Sequence, residues 1–474
     1  MDVVRYTRKA IHAGHMYTKH RQVKLGIAWR CDQRGACLGR IVVDQHDKVV
    51  TAADHTHGPD WGRCKAAECV QDIKQAAGTS RASTTSVIQP KVARVSTETT
   101  TKLPKNAALR KMVRRVKRQH LPPEPKSLDE LDNIPRRFHV TLKGDRWLLY
   151  YEPEDEERML VFSSNHHLKL LQRATYWVMD GTFKSAPKIV CQIYAIHGCV
   201  NGKWVPLVIA LLENKTRRTY EKLFDVLKTE VRRRLRKDLQ PEYVSTDYEQ
   251  GAISAVRTAF PDAELCACLF HLGQTFFRQV QAAGLAIVYR AEESEGMRAD
   301  FHALIAIAFV PVDDVEDAFD ALQEVSDPAL RPVFQHVEDH YVRGRLQARR
   351  RGGRVRQRGR PMFPPALWNC YSRAEQGLPR TTNTCEAWHR RLGTLVGKNH
   401  PSLYVFLDQL QEVAVIDVEC SRAEAGHSPQ KRRAQCEVTD ARVARIQARY
   451  EEYREADDVL SYLRAIGANV AGNL

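Results

Sequence analysis

The stretch over residues 176–183 constrains the fold more than any other, because an apolar run leads into one acid and stops at a glycine. Hydrophobic and β-branched residues resume over residues 189–196, so the pattern predicts a buried strand, a break and a second strand. A carboxylate at the end of a buried strand is costly unless something neutralises it. Asp180 therefore has two open interpretations: a hairpin turn made with Gly181, or a metal ligand held at the edge of a sheet.

The composition indicates a globular chain with a polyanionic partner. Its 474 residues allow two to four domains, and 43% of them are hydrophobic. No run approaches the ~20 apolar residues of a membrane span, and residues 1–5 lack the apolar core of a signal peptide. We therefore expect an intracellular, reducing setting, in which the 12 cysteines are metal ligands or buried apolar residues. The net charge of +16 and the pI of about 9.3 point to a polyanion.

Residues 1–66 predict a small β-rich unit that zinc folds. The spacing Cys-x5-Cys-x17-His-x-His is set by Cys31, Cys37, His55 and His57. Two thiolates and two imidazoles make a closed tetrahedral zinc site, the kind that folds a module too small for a sufficient core. Residues 39–44 and 48–51 alternate as short strands do.

The same segment resembles the FLYWCH zinc finger. The matching positions are the four cysteine and histidine ligands together with Tyr17 and Trp29. The resemblance implies a Zn²⁺-dependent domain that binds DNA or protein and has no catalytic role.

Residues 67–135 predict a disordered basic linker. Residues 79–101 are rich in Ser, Thr and small residues without an apolar period. The basic cluster over residues 110–118 could be a nuclear localisation signal, an arm that contacts phosphates, or a merely solvated face.

Residues 136–400 predict an α/β domain of the RNase H-like class. Three antiparallel-looking strands are followed by a helix over residues 219–235 and then by a strand, a helix and a strand. Asp180 lies on the first of these strands and Asp247 on the fourth, and in this layout the two strands are neighbours. Their carboxylates would converge and repel each other unless a cation sits between them. Asp247 could alternatively cap a helix, with Gln250 completing a capping box.

A helical insertion is predicted over about residues 272–380, and residues 401–474 predict a helical C-terminal region. Residues 345–360 contain eight arginines with glycines between them, a composition that fits a flexible loop on a phosphate backbone or a solvated loop without function. The residues that we expect to contact DNA are Arg349, Arg350, Arg351, Arg354, Arg356, Arg358 and Arg360.

Glu386 is predicted in the first turn of a helix, because Trp388, Leu392 and Val396 form a helical apolar face. It could serve only as the reciprocal glutamate of a capping box that begins at Asn383. Its pairing with the two earlier aspartates favours a functional role instead.

The order of these motifs resembles a Mutator-like element (MULE) transposase over about residues 140–400. The matches are Asp-Gly-Thr-Phe at 180–183, the strand-end Asp247, Cys-x2-His at 268–271, and Asn-x2-Glu-x2-His at 383–389. The usual Asn-Asn before the glutamate stands here as Thr382-Asn383.

The resemblance implies a DNA transposase in which Asp180, Asp247 and Glu386 hold two Mg²⁺ or Mn²⁺ ions roughly 3.5–4 Å apart. Cys268, His271 and His389 would be accessory residues, and for the Cys268–His271 pair both a structural metal site and a role in orienting DNA or a carboxylate are open. The implied partner is double-stranded DNA, expected to be transposon terminal repeats, in the nucleus and with a homo-oligomer as a common arrangement.

Two other functions are compatible with parts of this pattern. A domesticated transposase could act as a non-catalytic DNA-binding regulator, although all three acids are intact. An RNA-processing nuclease would share the sheet and the metals, but near the basic loop only Phe363 and Trp368 are available to stack on bases.

Overall fold

The computed structural model describes residues 3–6, 8–33, 35–80, 84–119, 121–141, 143–347, 358–412, 415–426 and 434–470. The chain forms two compact units, Met1–Pro123 and Glu124–Leu474. Each unit has its own sheet and its own hydrophobic core.

The first unit begins with a six-stranded antiparallel meander in which neighbouring strands follow chain order. Its strands are β1 (Val4–Arg5), β2 (Lys9–His12), β3 (His15–Val23), β4 (Gly26–Cys31), β5 (Arg40–Val43) and β6 (Val49–Ala53). One face of the sheet buries Ala10, Tyr17, Trp29 and Ile41. The β-rich character predicted for this segment is therefore confirmed.

Four helices follow the meander, and the prediction of a disordered linker is wrong for the segment that they occupy. They are α1 (Trp61–Thr79), α2 (Thr84–Val92), α3 (Thr97–Lys102) and α4 (Asn106–Arg118). The sparse apolar residues of this segment close a small core of their own, formed by Cys69, Ile73, Ala77, Val87, Ile88, Leu109 and Val113. Composition underestimated this core because a few well-spaced apolar residues suffice when three helices share them.

The second unit contains a seven-stranded mixed sheet. Its strands are β7 (Leu148–Tyr150), β8 (Met159–Phe162), β9 (Tyr176–Thr182), β10 (Gln192–Val200), β11 (Lys203–Leu212), β12 (Tyr243–Thr246) and β13 (Glu264–Ala267). In the sheet they lie in the order β13-β12-β9-β10-β11-β8-β7. Strands β9, β10 and β11 pair antiparallel, whereas β12 is parallel to β9 and β13 is parallel to β12. The predicted succession of three antiparallel strands, a helix, a strand, a helix and a strand is confirmed.

The strand β9 runs through Gly181 without a break, so the interpretation of Asp180-Gly181 as a hairpin turn is wrong. Asp180 pairs with Ala195 and Gly181 with Tyr194 on the neighbouring strand. A β-carbon at position 181 would lie 2.4 Å from the side-chain oxygen of Gln192. The glycine thus serves close packing and not a turn.

Helices cover the sheet and continue into the insertion and the C-terminal region. Beside the sheet lie α5 (Asn165–Arg173), α6 (Arg217–Leu235) and α7 (Gln250–Ala259). The insertion contains α8 (Leu269–Ala282), α9 (Ala286–Arg290), α10 (Glu295–Ala306), α11 (Val315–Val325), α12 (Arg331–Val337), α13 (Pro365–Trp368) and α14 (Tyr371–Glu375). The chain then forms α15 (Asn383–Val396), α16 (Leu403–Glu412), α17 (Val415–Glu424), α18 (Ala434–Gln447), α19 (Tyr450–Glu455) and α20 (Val459–Val470). The predicted helical insertion and helical C-terminal region are both observed, and residues from the two share one apolar core.

Candidate functional site

The first unit brings its four predicted zinc ligands together. The ligand atoms of Cys31, Cys37, His55 and His57 all lie within 4.8 Å of one another. Cys31 is the last residue of β4, and both histidines follow β6. The Cys31 Sγ atom lies 3.2 Å from His57 Nε2, and the Cys37 Sγ atom lies 3.3 Å from His55 Nδ1. Two sulfur and two nitrogen donors at this spacing fit a structural Zn²⁺ ion.

The surroundings of this quartet prepare the ligands for a metal. His57 Nδ1 lies 2.9 Å from the carbonyl oxygen of Gly58, which can only accept, so Nε2 keeps the free lone pair. The hydroxyl of Tyr17 lies 2.8 Å from His55 Nε2, which leaves His55 Nδ1 to face the thiols. Desolvation alone would raise the pKa of Cys37, but backbone N–H groups of Thr56 and Gly39 outweigh it and lower the pKa to about 7. A thiolate, the form that binds zinc, is thereby favoured.

In the second unit, two aspartates meet at one end of the sheet. Asp180 is 4% exposed on β9, and Asp247 directly follows β12. The two strands are parallel neighbours with Ser245 beside Val178, so continuing this register by two residues sets Asp247 beside Asp180. Burial, and after it the charge of Asp180, raises the pKa of Asp247. The two carboxylates therefore feel each other in a poorly solvated place.

The interpretation of Asp247 as a helix cap is wrong. The cap position of α7 is Glu249, and the Asp247 carboxylate accepts a hydrogen bond from the Glu249 backbone N–H at 3.1 Å. This bond orients the carboxylate within the turn and leaves its second oxygen for other partners.

Helix α15 brings Glu386 to the same end of the sheet. The thiol of Cys385 is fully buried and lies 2.9 Å from His197 Nδ1 on β10 and 3.5 Å from the Val178 carbonyl oxygen on β9. One turn later, His389 Nδ1 lies 3.5 Å from a carboxylate oxygen of Asp180. Burial raises the pKa of Glu386, and the charge of Asp180 contributes to the shift. Glu386 thus belongs to the electrostatic environment of the two aspartates.

The capping-box interpretation of Glu386 is also wrong. The cap position of α15 is Thr382, which makes no side-chain cap, and Asn383 is already the first residue of the helix. The hydroxyl of Thr382 instead lies 3.4 Å from the sulfur of Cys268, and its backbone N–H donates to the same sulfur at 3.2 Å. Cys268 therefore attaches the start of α15 to the end of β13.

His271 lies close to these acids, and their charges act on its pKa. Its Nε2 atom lies 4.0 Å from a carboxylate oxygen of Glu386. Burial alone would lower its pKa, but the Cys268 thiol and the charges of Asp180 and Asp247 outweigh burial and raise the pKa to about 9. A protonated His271 at neutral pH partly balances the three carboxylates.

Comparison with known families matches two parts of the chain. The model of the FLYWCH zinc finger domain matches residues 5–57, and the model of the MULE transposase domain matches residues 176–275. The chain carries both domains. The MULE match includes Asp180, Asp247, Cys268 and His271 and ends before Glu386. No curated protein matched the chain in a separate search.

The three predicted acids of the second unit do not form a closed metal cage. Within the described part of the chain, the finger quartet alone has three or more ligand atoms within 4.8 Å of one another. The carboxylate oxygens of Asp180, Asp247 and Glu386 do not all lie within that distance of one another. Among the described residues, Cys268 and His271 likewise belong to no such group of metal ligands. A wider spread is compatible with two ions, each bound by only some of the carboxylates, since Mg²⁺ keeps several waters.

Sequence reasoning missed Glu249, a fourth acid beside the predicted site. Burial, and after it the charge of Asp247, raises its pKa to about 7. One of its carboxylate oxygens is buried without a hydrogen-bond partner. The Asp-x-Glu spacing of Asp247 and Glu249 could have indicated this second acid, but a glutamate just before a helix is also common without any function. His197 was missed because only the fold reveals its contact with Cys385.

The predicted DNA-contacting arginines are only partly within the described residues. Arg349, Arg350, Arg351, Arg354 and Arg356 lie outside them. Arg358 pairs with Glu338 at 2.6 Å and donates to the Gly344 carbonyl oxygen at 2.9 Å, so its guanidinium already has partners within the chain, and its contact with DNA stays a prediction. Arg360 is exposed. Over the described ranges, no helix combines the length and the apolar character needed to cross a membrane.

Proposed function

We propose that this protein is a DNA transposase of the three-carboxylate type, with Asp180, Asp247 and Glu386 as its catalytic acids. The observation that carries the proposal is the convergence of three acids from β9, β12 and α15 on one end of the sheet, where burial raises the pKa values of two of them. The strand order supports an RNase H-like catalytic domain, because two parallel strands extend an antiparallel triplet beside β9.

The three acids would hold two Mg²⁺ or Mn²⁺ ions, since hard oxygen donors suit these cations. When bound, the ions would activate water or a DNA 3′-hydroxyl group and stabilise the leaving oxygen of a phosphodiester bond. The carboxylates of Asp180, Asp247 and Glu386 repel one another when all three are ionised, and the positive charge of a bound metal ion would reduce this repulsion.

Three neighbouring residues would position the acids. His389 lies beside Asp180, and His271 lies beside Glu386. Cys268 accepts two hydrogen bonds from Thr382, the residue that precedes α15. We infer that the Cys-x2-His pair aligns the start of α15 with the sheet.

The finger would bind the DNA, and transposon terminal repeats are the proposed substrate. The net charge of +16 supports a polyanionic partner. We propose the nucleus as the location and a homo-oligomer as the active form, in which two DNA ends can be held at once.

The test is metal-dependent nicking of supercoiled DNA that carries the element's terminal repeats. Asp180→Asn, Asp247→Asn and Glu386→Gln should each reduce the rate by at least about 100-fold while leaving the melting temperature near that of the wild type. Asp262→Asn, at an exposed acid in the loop before β13, is the matched control and should nick like the wild type. If the wild type nicks and the three variants retain the rate, the acids are not catalytic. If the wild type binds the repeats but never nicks them, the protein is a DNA-binding regulator.

A further inference from the structure

Helix α4 of the first unit has two distinct faces. Leu109 and Val113 are 3% and 0% exposed and pack into the core shared with α1 and α2. The opposite face carries five exposed cations, Arg110, Lys111, Arg114, Arg115 and Arg118. Their spacing of three, four and seven residues puts them on one side of the helix over about 12 Å of its axis.

Within the described part of the chain, the five cations of this face form no ion pair. Among the residues that the structure describes, the first unit has ion pairs between Arg5 and Asp47, Arg63 and Asp32, and Lys102 and Asp60, and none of these three pairs involves one of the five cations of this face. The helix contains no acid, so it offers no internal partner either. In the second unit, by contrast, Arg343 is paired with three carboxylates. Five unpaired cations on one face repel one another and favour an external polyanion.

The basic face is held in a fixed position relative to the zinc quartet. Helix α4 packs on α1, and α1 packs on the sheet through Cys64, which contacts Ile11 and Met16. Arg63 of α1 also donates to Asp32, the residue after Cys31, at 2.8 Å. Packed contacts and a hydrogen bond therefore connect the finger to the basic helix within the first unit.

We propose that the α4 face, defined by Arg110, Lys111, Arg114, Arg115 and Arg118, is a second DNA-binding surface that contacts the phosphate backbone of double-stranded DNA beside the finger. This inference rests on the proposed DNA-binding function and extends it to an element outside both matched domains. The face is long enough to contact several phosphates, because double-stranded DNA carries one negative charge per ~1.7 Å of its axis.

The structure favours DNA over a nuclear import receptor as the occupant. A localisation signal must be available as a free segment, but here every turn of the helix is held by apolar residues buried in the core. Releasing the segment would expose Leu109 and Val113 to water and so cost the free energy of their burial. A rigid duplex can be bound without that cost.

The test measures how salt affects binding of the full chain to a 20-base-pair duplex of arbitrary sequence, by fluorescence anisotropy without added Mg²⁺ so that no cleavage occurs. The variant Arg114→Gln with Arg115→Gln should lower the affinity, and the slope of log K against log salt should become shallower by about 2. Glutamine is a good helix former, so the fold should be kept, which circular dichroism and zinc content verify.

Two matched variants separate this surface from general charge effects. Arg114→Lys with Arg115→Lys retains the charges and should keep the wild-type slope. Lys65→Gln with Lys74→Gln removes two charges from α1 of the same unit and should change the slope by less than the α4 variant does.

Each remaining outcome overturns the proposal in a distinguishable way. A wild-type slope in the Arg114→Gln, Arg115→Gln variant rejects the α4 face and leaves DNA binding by the protein intact. An equal loss of affinity and of salt slope in the variant Lys65→Gln with Lys74→Gln means that the net charge alone governs DNA binding. Failure of the wild type to bind any duplex rejects the proposed function as well. If the Arg114→Gln, Arg115→Gln variant binds DNA like the wild type but, as a fluorescent fusion in cells, no longer enters the nucleus, then α4 is a localisation signal and not a DNA-binding surface.

Discussion

At the residue scale, the pairing of His197 with Cys385 shows how a neutral contact holds a charged site in place. His197 is 1% exposed, and its Nδ1 atom lies 2.9 Å from the Cys385 sulfur. Burial, followed by the charges of His389 and Arg391, lowers the pKa of His197 to about 3. The residue after Cys385 is Glu386, so this contact positions a proposed catalytic acid.

The depressed pKa of His197 predicts acid sensitivity of the second unit. An unfolded histidine has a pKa of about 6.5, so between pH 6.5 and about 3 the unfolded state binds one more proton than the folded state. The contribution of neutral His197 to the free energy of unfolding is therefore complete above pH 6.5. Below pH 6.5 it falls by about 1.4 kcal/mol for each pH unit. His197→Asn should remove this part of the slope in urea unfolding between pH 4 and 6. The exposed His400→Asn should keep it, and equal slopes in all three proteins would refute the assignment.

Tyr17 offers a second prediction at this scale, because its hydroxyl is bound to a zinc ligand. Burial raises its pKa to about 12, so the phenol stays protonated and can orient the His55 ring. Tyr17→Phe should retain the fold and weaken Zn²⁺ affinity by about tenfold in competition with a chromogenic chelator. Tyr6→Phe removes a hydroxyl from a half-buried tyrosine of the same unit and is the control. Zinc affinity equal in both variants would show that Tyr17 only fills space.

At the element scale, the second unit depends on a close helix crossing between its insertion and its C-terminal region. Gly467 of α20 faces the backbone of α10, and a β-carbon there would lie 2.8 Å from the His302 carbonyl carbon. Backbone atoms cannot move aside as a flexible side chain can. The glycine therefore sets how closely the two helices approach.

This crossing predicts opposite effects for two glycine-to-alanine substitutions. Gly467→Ala should lower the free energy of unfolding by about 1–3 kcal/mol, because α20 must shift away from α10. Gly296→Ala, in the first turn of α10 with no atom within 4 Å of the added carbon, should be neutral or stabilise by up to about 1 kcal/mol. Urea unfolding measures both. A Gly467→Ala protein as stable as the wild type would mean that the helices separate without loss.

At the scale of the whole molecule, the two units have separate cores and only the first contains the zinc quartet. Removing zinc with a chelator should therefore expose residues within 3–123 to limited proteolysis while residues 124–470 remain protected. Mass spectrometry of the fragments locates the cuts, and restoring Zn²⁺ should restore protection. A first unit that stays protected after zinc removal would show that its helical core suffices.

Much of the molecule could be predicted from short-range patterns. The succession of strands along the second unit followed from apolar patterns, and the zinc quartet followed from ligand types at a fixed spacing. Other features could not be predicted from local patterns. The helices over residues 84–118 were missed because their apolar residues are few. The pairing of Arg358 with Glu338 was missed because the two residues are twenty positions apart in the chain.

The sequence by itself determined which residues could carry the chemistry, because residue type and spacing fix donor atoms and their order along the chain. Only the tertiary structure excluded the turn interpretation of Asp180 and the cap interpretations of Asp247 and Glu386. Each could have been a turn or a cap, since a local hydrogen bond satisfies a carboxylate equally well. Two features bring the three acids to one end of the sheet: the parallel register of β9 with β12, and the packing of Cys385, in the first turn of α15, against β9 and β10. Such convergence depends on contacts between residues up to about two hundred positions apart, which no local pattern encodes.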